Sequence, residues 1–325
     1  MNKHVVWAFS FLLLCFGAVV LAQTVSSAPT APSTASGAAY REVRWSPDGK
    51  SVAVVMRSSP KSPFRIAIIP ADGGEPRWVT PESQSSLAPR WSPDGREIAF
   101  VTMVKIDSPQ ELFVVSLGDG QIRRVGKSAS HQAGFSHQFL NGYAWALDGR
   151  HFLYFDQLPR PEPGYGHYFM DLSGSVIRTP VAIPINSMFA VEWSADQAHV
   201  TFTGGDPHDI YIAGGHGENP RSIVAATMDR QPQAPSFSPD GQTLLYCFFQ
   251  RPTKGPTLWS IGTDGKSNRS LAADGIRGQY SPDGRWIAYL DGRGTDSPDN
   301  PAGSSFFLRV IKARPDGSGA VVLAR

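Results

Sequence analysis

Trp45-Ser46-Pro47-Asp48-Gly49-Lys50 returns almost unchanged as Trp91-Ser92-Pro93-Asp94-Gly95-Arg96. Four looser copies follow: Trp145-Ala146-Leu147-Asp148-Gly149-Arg150, Trp193-Ser194-Ala195-Asp196-Gln197, Phe237-Ser238-Pro239-Asp240-Gly241-Gln242 and Tyr280-Ser281-Pro282-Asp283-Gly284-Arg285. From aromatic to aromatic the spacings are 46, 54, 48, 44 and 43 residues, the length of one four-stranded propeller blade. Within the motif, Pro presets φ for the first corner of a tight turn, Asp accepts from nearby backbone, and Gly takes the left-handed position. The aromatic ahead of it suits the space between neighbouring blades. Trp45, Trp91, Trp145 and Trp193 are therefore expected in the core, and the Asp residues are expected to form turns rather than ligate metals.

Behind each motif the chain alternates with period two, as in Ser51-Val52-Ala53-Val54-Val55, Glu97-Ile98-Ala99-Phe100-Val101 and His151-Phe152-Leu153-Tyr154-Phe155. These read as second strands. Third strands follow, such as Arg65-Ile66-Ala67-Ile68-Ile69 and His167-Tyr168-Phe169-Met170, each running into a Gly-containing turn and a short fourth strand. The sequence predicts an all-β fold, a six-bladed β-propeller of four-stranded antiparallel blades. Blades are expected to begin near Tyr40, Ala88, Gly142, Ala190, Pro235 and Gly278, and the first and last blades to meet without a long strand exchange.

The propeller is assigned to residues 40–325. Ahead of it, Lys3 and His4 precede an apolar run from Val5 to Ala22 that is short for a membrane span and reads as a Sec-type signal peptide, residues 1–22, with an uncleaved anchor as the alternative. Residues 23–39 are nearly all Ser, Ala, Thr, Pro and Gly, a flexible tether with no face to bury. A periplasmic or extracellular location follows. The net charge is +2, or +1 without the signal, with both signs mixed along the chain, which argues against a nucleic-acid partner. Cys247 is the only cysteine after residue 22, so no intrachain disulfide is expected there. It lies in an apolar strand and reads as a small buried hydrophobe.

The aromatic-Ser-Pro-Asp-Gly turn followed by an Ile-Ala-aromatic strand resembles the repeat of the TolB-like propellers, over about residues 40–325. The same repeat is found in the propeller domains of prolyl oligopeptidase-like peptidases and in oligogalacturonate lyases. The resemblance implies the architecture more than an activity. True TolB carries a separate domain before its propeller, and none is read here. The peptidases need an α/β-hydrolase domain with a Gly-x-Ser-x-Gly elbow, and the sequence has no such pentapeptide. The lyases use His and Gln around a divalent metal. His131-Gln132 and His137-Gln138 suggest a metal-dependent polysaccharide lyase or hydrolase as an alternative, without a motif that carries the ligands over.

The leading expectation is a non-catalytic, monomeric binding propeller with no cofactor and no metal, taking a protein partner or small ligand. In antiparallel blades the turns joining strands one to two and three to four share one face, and the remaining connections share the other. Variation in length is concentrated on the second face, where binding residues on a rigid scaffold tend to gather. The candidate binding residues there are His131, His137, Arg160, Tyr165, His208, Arg251, Lys254 and Arg293.

Overall fold

The computed structural model describes residues 38–102, 111–125, 142–158, 164–185, 187–250, 254–293 and 307–325. Among them every regular element is a strand, and the strands fall into six antiparallel blades of four consecutive strands each. Blade 1 holds β1 (Ala39–Trp45), β2 (Ser51–Arg57), β3 (Arg65–Pro70) and β4 (Arg77–Trp78); blade 2 holds β5 (Ser86–Trp91), β6 (Glu97–Thr102), β7 (Glu111–Ser116) and β8 (Ile122–Arg124). Blade 3 holds β9 (Tyr143–Trp145), β10 (His151–Gln157), β11 (Tyr165–Asp171) and β12 (Val176–Ile183); blade 4 holds β13 (Met188–Trp193), β14 (His199–Gly204), β15 (Asp209–Gly214) and β16 (Arg221–Val224). Blade 5 holds β17 (Arg230–Phe237), β18 (Thr243–Gln250), β19 (Lys254–Gly262) and β20 (Arg269–Ala273); blade 6 holds β21 (Ile276–Tyr280), β22 (Ile287–Arg293), β23 (Phe307–Ala313) and β24 (Val321–Ala324). The blades start within a few residues of the expected positions. The first strands neighbour one another in ring order, β21 against β1 included, so they form the wall of a central channel.

The repeated turn has the expected mechanics. Ser46 Oγ donates to Asp48 Oδ1 at 2.6 Å, Lys50 N donates to the same oxygen at 3.0 Å, and Ser51 N donates to Ser46 Oγ at 3.0 Å. Gly49 takes φ of 69° and donates its N–H to the Ser46 carbonyl. The blade 4 copy has Gln197 where the others have Gly, held at φ of 58°. Its amide reaches into blade 3, where Nε2 donates to the Trp145 carbonyl at 2.6 Å.

The core is divided among six seams, each an apolar cluster between two neighbouring blades. Trp45, Trp145 and Trp193 are buried and Trp91 is half-buried. The indole N–H of Trp45, Trp91 and Trp145 donates to the carbonyl of Gln279, Arg44 and Arg90, at 3.2, 3.2 and 3.0 Å. Each acceptor is the residue just before the motif aromatic of the preceding blade, so one buried polar atom per turn is satisfied across the seam. Trp193 departs from this and donates to the Gly215 carbonyl of its own blade at 3.0 Å.

Among the described residues the ring closes without strand exchange. Blades 6 and 1 share a single bridge, Tyr40 to Phe307, reinforced by Tyr40 Oη donating to the Arg325 carbonyl at 3.2 Å. Lys312 in β23 adds a polar staple, its Nζ donating to the Ala71 carbonyl of blade 1 at 2.8 Å while lying over Trp286.

Cys247 lies in β18 with no exposed surface, and burial pushes its thiol up to about 12. Both effects suppress the reactive thiolate. An aromatic disulfide reagent at pH 8 is expected to leave the native thiol unlabelled for hours and to label it within minutes in denaturant; rapid labelling of native protein contradicts the burial.

Candidate functional site

The channel wall carries a feature that motif reading missed. The first strand of five blades is bulged, with register shifts between Tyr40 and Glu42, Leu87 and Arg90, Phe189 and Glu192, Gln233 and Ser236, and Ile276 and Gln279. At four of these the backbone turns left-handed, at Ala88, Ala190, Ala234 and Arg277, with φ between 51° and 55°. A bulge re-aims the side chains that follow it. The residues brought together on the wall are Glu42, Arg44, Arg90 and Glu192.

Arg44 Nη1 donates to both carboxylate oxygens of Glu192 at 2.9 Å. Blades 1 and 4 lie opposite each other in a ring of six, so this pair bridges the channel. Arg44 also binds Glu42, with Nε at 3.0 Å from Oε1. Arg90 of blade 2 binds Glu42 Oε1 at 2.9 Å through Nη1 and the Tyr143 carbonyl of blade 3 at 2.9 Å through Nε. Burial alone would raise the Glu42 carboxyl, but Arg44, Arg90 and Arg277 outweigh it and hold it at about 2. Arg44 and Glu192 each stand one residue before a motif Trp, so the bridge plugs the channel near its Ser-Pro-Asp-Gly end. What remains is a cup opening on the opposite face.

Near the mouth of that cup stand Arg41 in β1, Arg57 at the end of β2 and Arg277 in β21. Arg41 and Arg57 both lie over the Phe64 ring, at 4.1 and 5.0 Å. Burial, then Arg277 and Arg57, lower the Arg41 guanidinium to about 10. Its Nε is buried without a hydrogen-bond partner among the described residues. Among those residues neither Arg41 nor Arg277 forms an ion pair with a carboxylate, whereas Glu42 and Glu192 are taken by Arg44 and Arg90. Arg41 and Arg277 thus stand at the mouth without a carboxylate ion pair among the described residues.

The two faces differ as the sequence implies. Connections from first to second strand span 46–50, 92–96, 146–150, 194–198, 238–242 and 281–286, nearly constant in length. On the cup side they run from 274–275 to 125–142 and 294–306. Of the candidate binding residues, His131, His137, Arg160 and Arg251 lie outside the described residues. Lys254 opens β19 opposite Gln250, and Arg293 ends β22 opposite Phe307, both at the cup-side end of their blades. His208, just before β15, meets Phe189 edge-on at 5.1 Å. Tyr165, read from sequence as a loop contact, is instead the first residue of β11, 5% exposed and packed in the seam between blades 3 and 4. The strand simply starts earlier than the loop reading allowed. Arg41, Glu42, Arg44, Arg90 and Glu192 were not picked out; the charged positions between apolar ones in Tyr40-Arg41-Glu42-Val43-Arg44 were their only local signal.

On the opposite face a cleft of about 450 Å³ lies between the turns of blades 1 and 2, lined by Asp48, Arg77, Trp91 and Asp94 among others. Its two carboxylates are held below their usual range, first of all by the Ser46 and Ser92 hydroxyls of their own turns, so they are committed to structure. Among the described residues no group of three or more His, Cys, Asp or Glu is placed to hold a metal ion.

The sequence profile of the TolB beta propeller domain matches residues 43–279. Among solved structures, TolB from Acinetobacter baumannii aligns at a TM-score of 0.59 and 18% identity, covering 91% of this chain and 65% of that one. The present chain thus spans less than two thirds of that protein's length. A putative TolB from Agrobacterium tumefaciens gives 0.55 at 19% identity, covering 77% and 84% of the two chains. An oligogalacturonate lyase in complex with manganese gives 0.52 at 14% identity, covering 88% and 78%. Identities this low speak for the fold alone. A comparison with curated proteins finds no significant match.

The depressed Glu42 carboxyl makes the plug a source of pH-dependent stability. Its contribution is complete above the ordinary value of 4.5 and drains away as pH falls toward about 2, amounting to roughly 3 kcal/mol. Glu42→Gln is expected to lose about that much at pH 7 and to flatten the stability profile between those limits. Urea melts of both proteins across this range check it, and parallel profiles refute it.

Proposed function

The chain belongs to the TolB β-propeller family, and we propose that it is an exported, non-catalytic propeller that binds a protein or small ligand through the cup and the variable loops around it. One observation carries this reading. The channel is closed at the uniform face by the Arg44–Glu192 bridge and bears surplus arginine at the other, so a ligand can enter from one side only and meets positive charge there. Buried guanidinium edges lacking partners are costly, and an anionic group offers them hydrogen bonds as well as charge. The ligand is accordingly one that presents a carboxylate or similar anion to Arg41 and Arg277.

The rim would be completed by His131, His137, Arg160, His208, Arg251, Lys254 and Arg293, on connections of the same face. Their lengths vary where the scaffold beneath is constant, the pattern of a binding surface on a rigid frame. Export is supported by the apolar run ending at Ala22 and the Ser/Ala/Pro/Thr tether after it. The periplasm is the location this implies, with the folded chain acting as a monomer.

The test is capture from envelope extract with three baits: the unaltered exported protein, Arg41→Glu/Arg277→Glu, and the opposite-face control Arg96→Glu/Arg285→Glu. The first and third are expected to retain the same partner. The second is expected to lose it by at least about tenfold, a cost of about 1.4 kcal/mol, in protein shown to be folded by circular dichroism, since Arg277 also attracts the buried Glu42. Loss only in the control places binding on the wrong face. Metal-dependent cleavage of a polysaccharide, abolished by His131→Ala and His137→Ala, replaces this reading with that of a lyase.

A further inference from the structure

Away from the channel, the seam between blades 3 and 4 brings two histidines into contact. His167 lies on β11, the third strand of its blade, and is 1% exposed. His216 is exposed in the turn between β15 and β16. Their Nδ1 atoms are 3.1 Å apart. We propose that this pair is a binding site for one divalent transition-metal ion of the Cu²⁺, Ni²⁺ or Zn²⁺ class, held by the two Nδ1 atoms with solvent completing the coordination.

The ring geometry departs from that of a linear hydrogen bond. Two imidazoles meeting head-on across this gap have ring centroids about 5.4 Å apart. The observed separation is 4.9 Å, with the planes at 57°, so the lone-pair axes are inclined to the line joining the nitrogens. An ion about 2.05 Å from both nitrogens subtends about 98° and places the centroids about 4.8 Å apart. That angle lies between the tetrahedral and square-planar values, and imidazole is a suitable ligand for all three ions, with Cu²⁺ bound most strongly.

The fold holds the turn that carries His216 by specific means. Trp193 gives up the cross-seam bond made by Trp45, Trp91 and Trp145 and donates instead to the carbonyl of Gly215, the neighbour of His216. Glu218 Oε2 accepts from His216 N at 3.0 Å. At Gly217 the backbone takes φ of 92°, and a Cβ there would stand 2.1 Å from Ile183 Cδ1 of blade 3. A side chain at 217 must displace either Ile183 or the turn itself, and is strained at that φ, so it disturbs the setting of His216 against blade 3. Phe155 and Phe169 wall the inner side of His167, both 5.0 Å away between ring centroids. Nε2 of His167 has no partner among the described residues, so the ring's polar contact runs through Nδ1.

Calorimetric titration of the untagged exported protein with CuCl₂ and with ZnCl₂, beside His216→Ala and Gly217→Ala, tests the assignment. The unaltered protein is expected to take up one more ion per chain than either variant, or to hold that ion at least about tenfold more tightly. Its Cu²⁺ form should show nitrogen hyperfine structure in electron paramagnetic resonance, and His216→Ala should lose it. Gly217→Ala keeps both imidazoles, so its loss reports their juxtaposition. His216 is exposed, and although its removal leaves His167 Nδ1 without that partner, the variant should still fold, which keeps the test decisive if Gly217→Ala does not. Equal uptake by the unaltered protein and His216→Ala, or no uptake by the unaltered protein at micromolar metal, overturns the proposal.

Discussion

Nothing covalent joins the last blade to the first, and the bond from the Trp45 indole to the Gln279 carbonyl shows how the ring is held nonetheless. Each seam needs apolar surface on both blades and a way of fixing their relative depth. The indole supplies both, since its ring is large enough to fill the seam and its N–H cannot be buried without an acceptor. The acceptor sits one residue before the motif aromatic of the preceding blade, so the distance from turn to strand in one blade sets the height of its neighbour. Three of the six seams carry such a bond, and at the seam between blades 6 and 1 two more join it, where Tyr40 reaches the Arg325 carbonyl and Lys312 reaches the Ala71 carbonyl. These two bonds do for closure what strand exchange would otherwise do.

A ring of six first strands leaves an axis that must be filled with water or with side chains. This chain fills the lower end with charge. An unpaired carboxylate such as Glu42 in that position would be strongly penalised, and its protection comes from three different blades: Arg44 from its own, Arg90 from the second, and Arg277 from the sixth. The plug thus couples blades that share no seam. It also fixes the direction from which the channel can be entered, because the bridge lies at the end where the turns are short. The asymmetry of the two faces follows from one salt bridge as much as from loop length.

Architecture was legible because its determinants are local. Ser46, Pro47, Asp48 and Gly49 act on one another within a single turn, and Val52 to Val55 alternate within a single strand. The plug was not legible because Arg44 and Glu192 are separated by 148 residues and meet only once the ring has closed. The bulges escaped for a related reason: Ala88, Ala190 and Ala234 carry no signal for a left-handed backbone, and tertiary packing imposes it on them. Tyr165 fell on the wrong side of a boundary, where the aromatic of Gly164-Tyr165-Gly166 reads equally well as loop or as strand. Only its pairing with Gln157 and Ile183 decides between them.

What the repeat does not repeat is the most informative part of it. Gln197 stands at a left-handed position that the other copies give to Gly, and its amide binds across to blade 3. Trp193 turns its indole toward Gly215 rather than toward the preceding blade. Arg277 stands where Ala88, Ala190 and Ala234 stand in sister blades, at a φ of 55°. A left-handed backbone costs a residue with a Cβ about 1 kcal/mol or more, so bearing it with a long cationic side chain needs a compensating interaction. For Gln197 that compensation is visible as two hydrogen bonds to blade 3, through the Trp145 carbonyl and the Leu147 N–H. For Arg277 the partial return is its attraction to Glu42, set against its repulsion of Arg41. The anion proposed to bind between Arg41 and Arg277 would convert that repulsion into attraction on both sides, which would offset the left-handed backbone at Arg277.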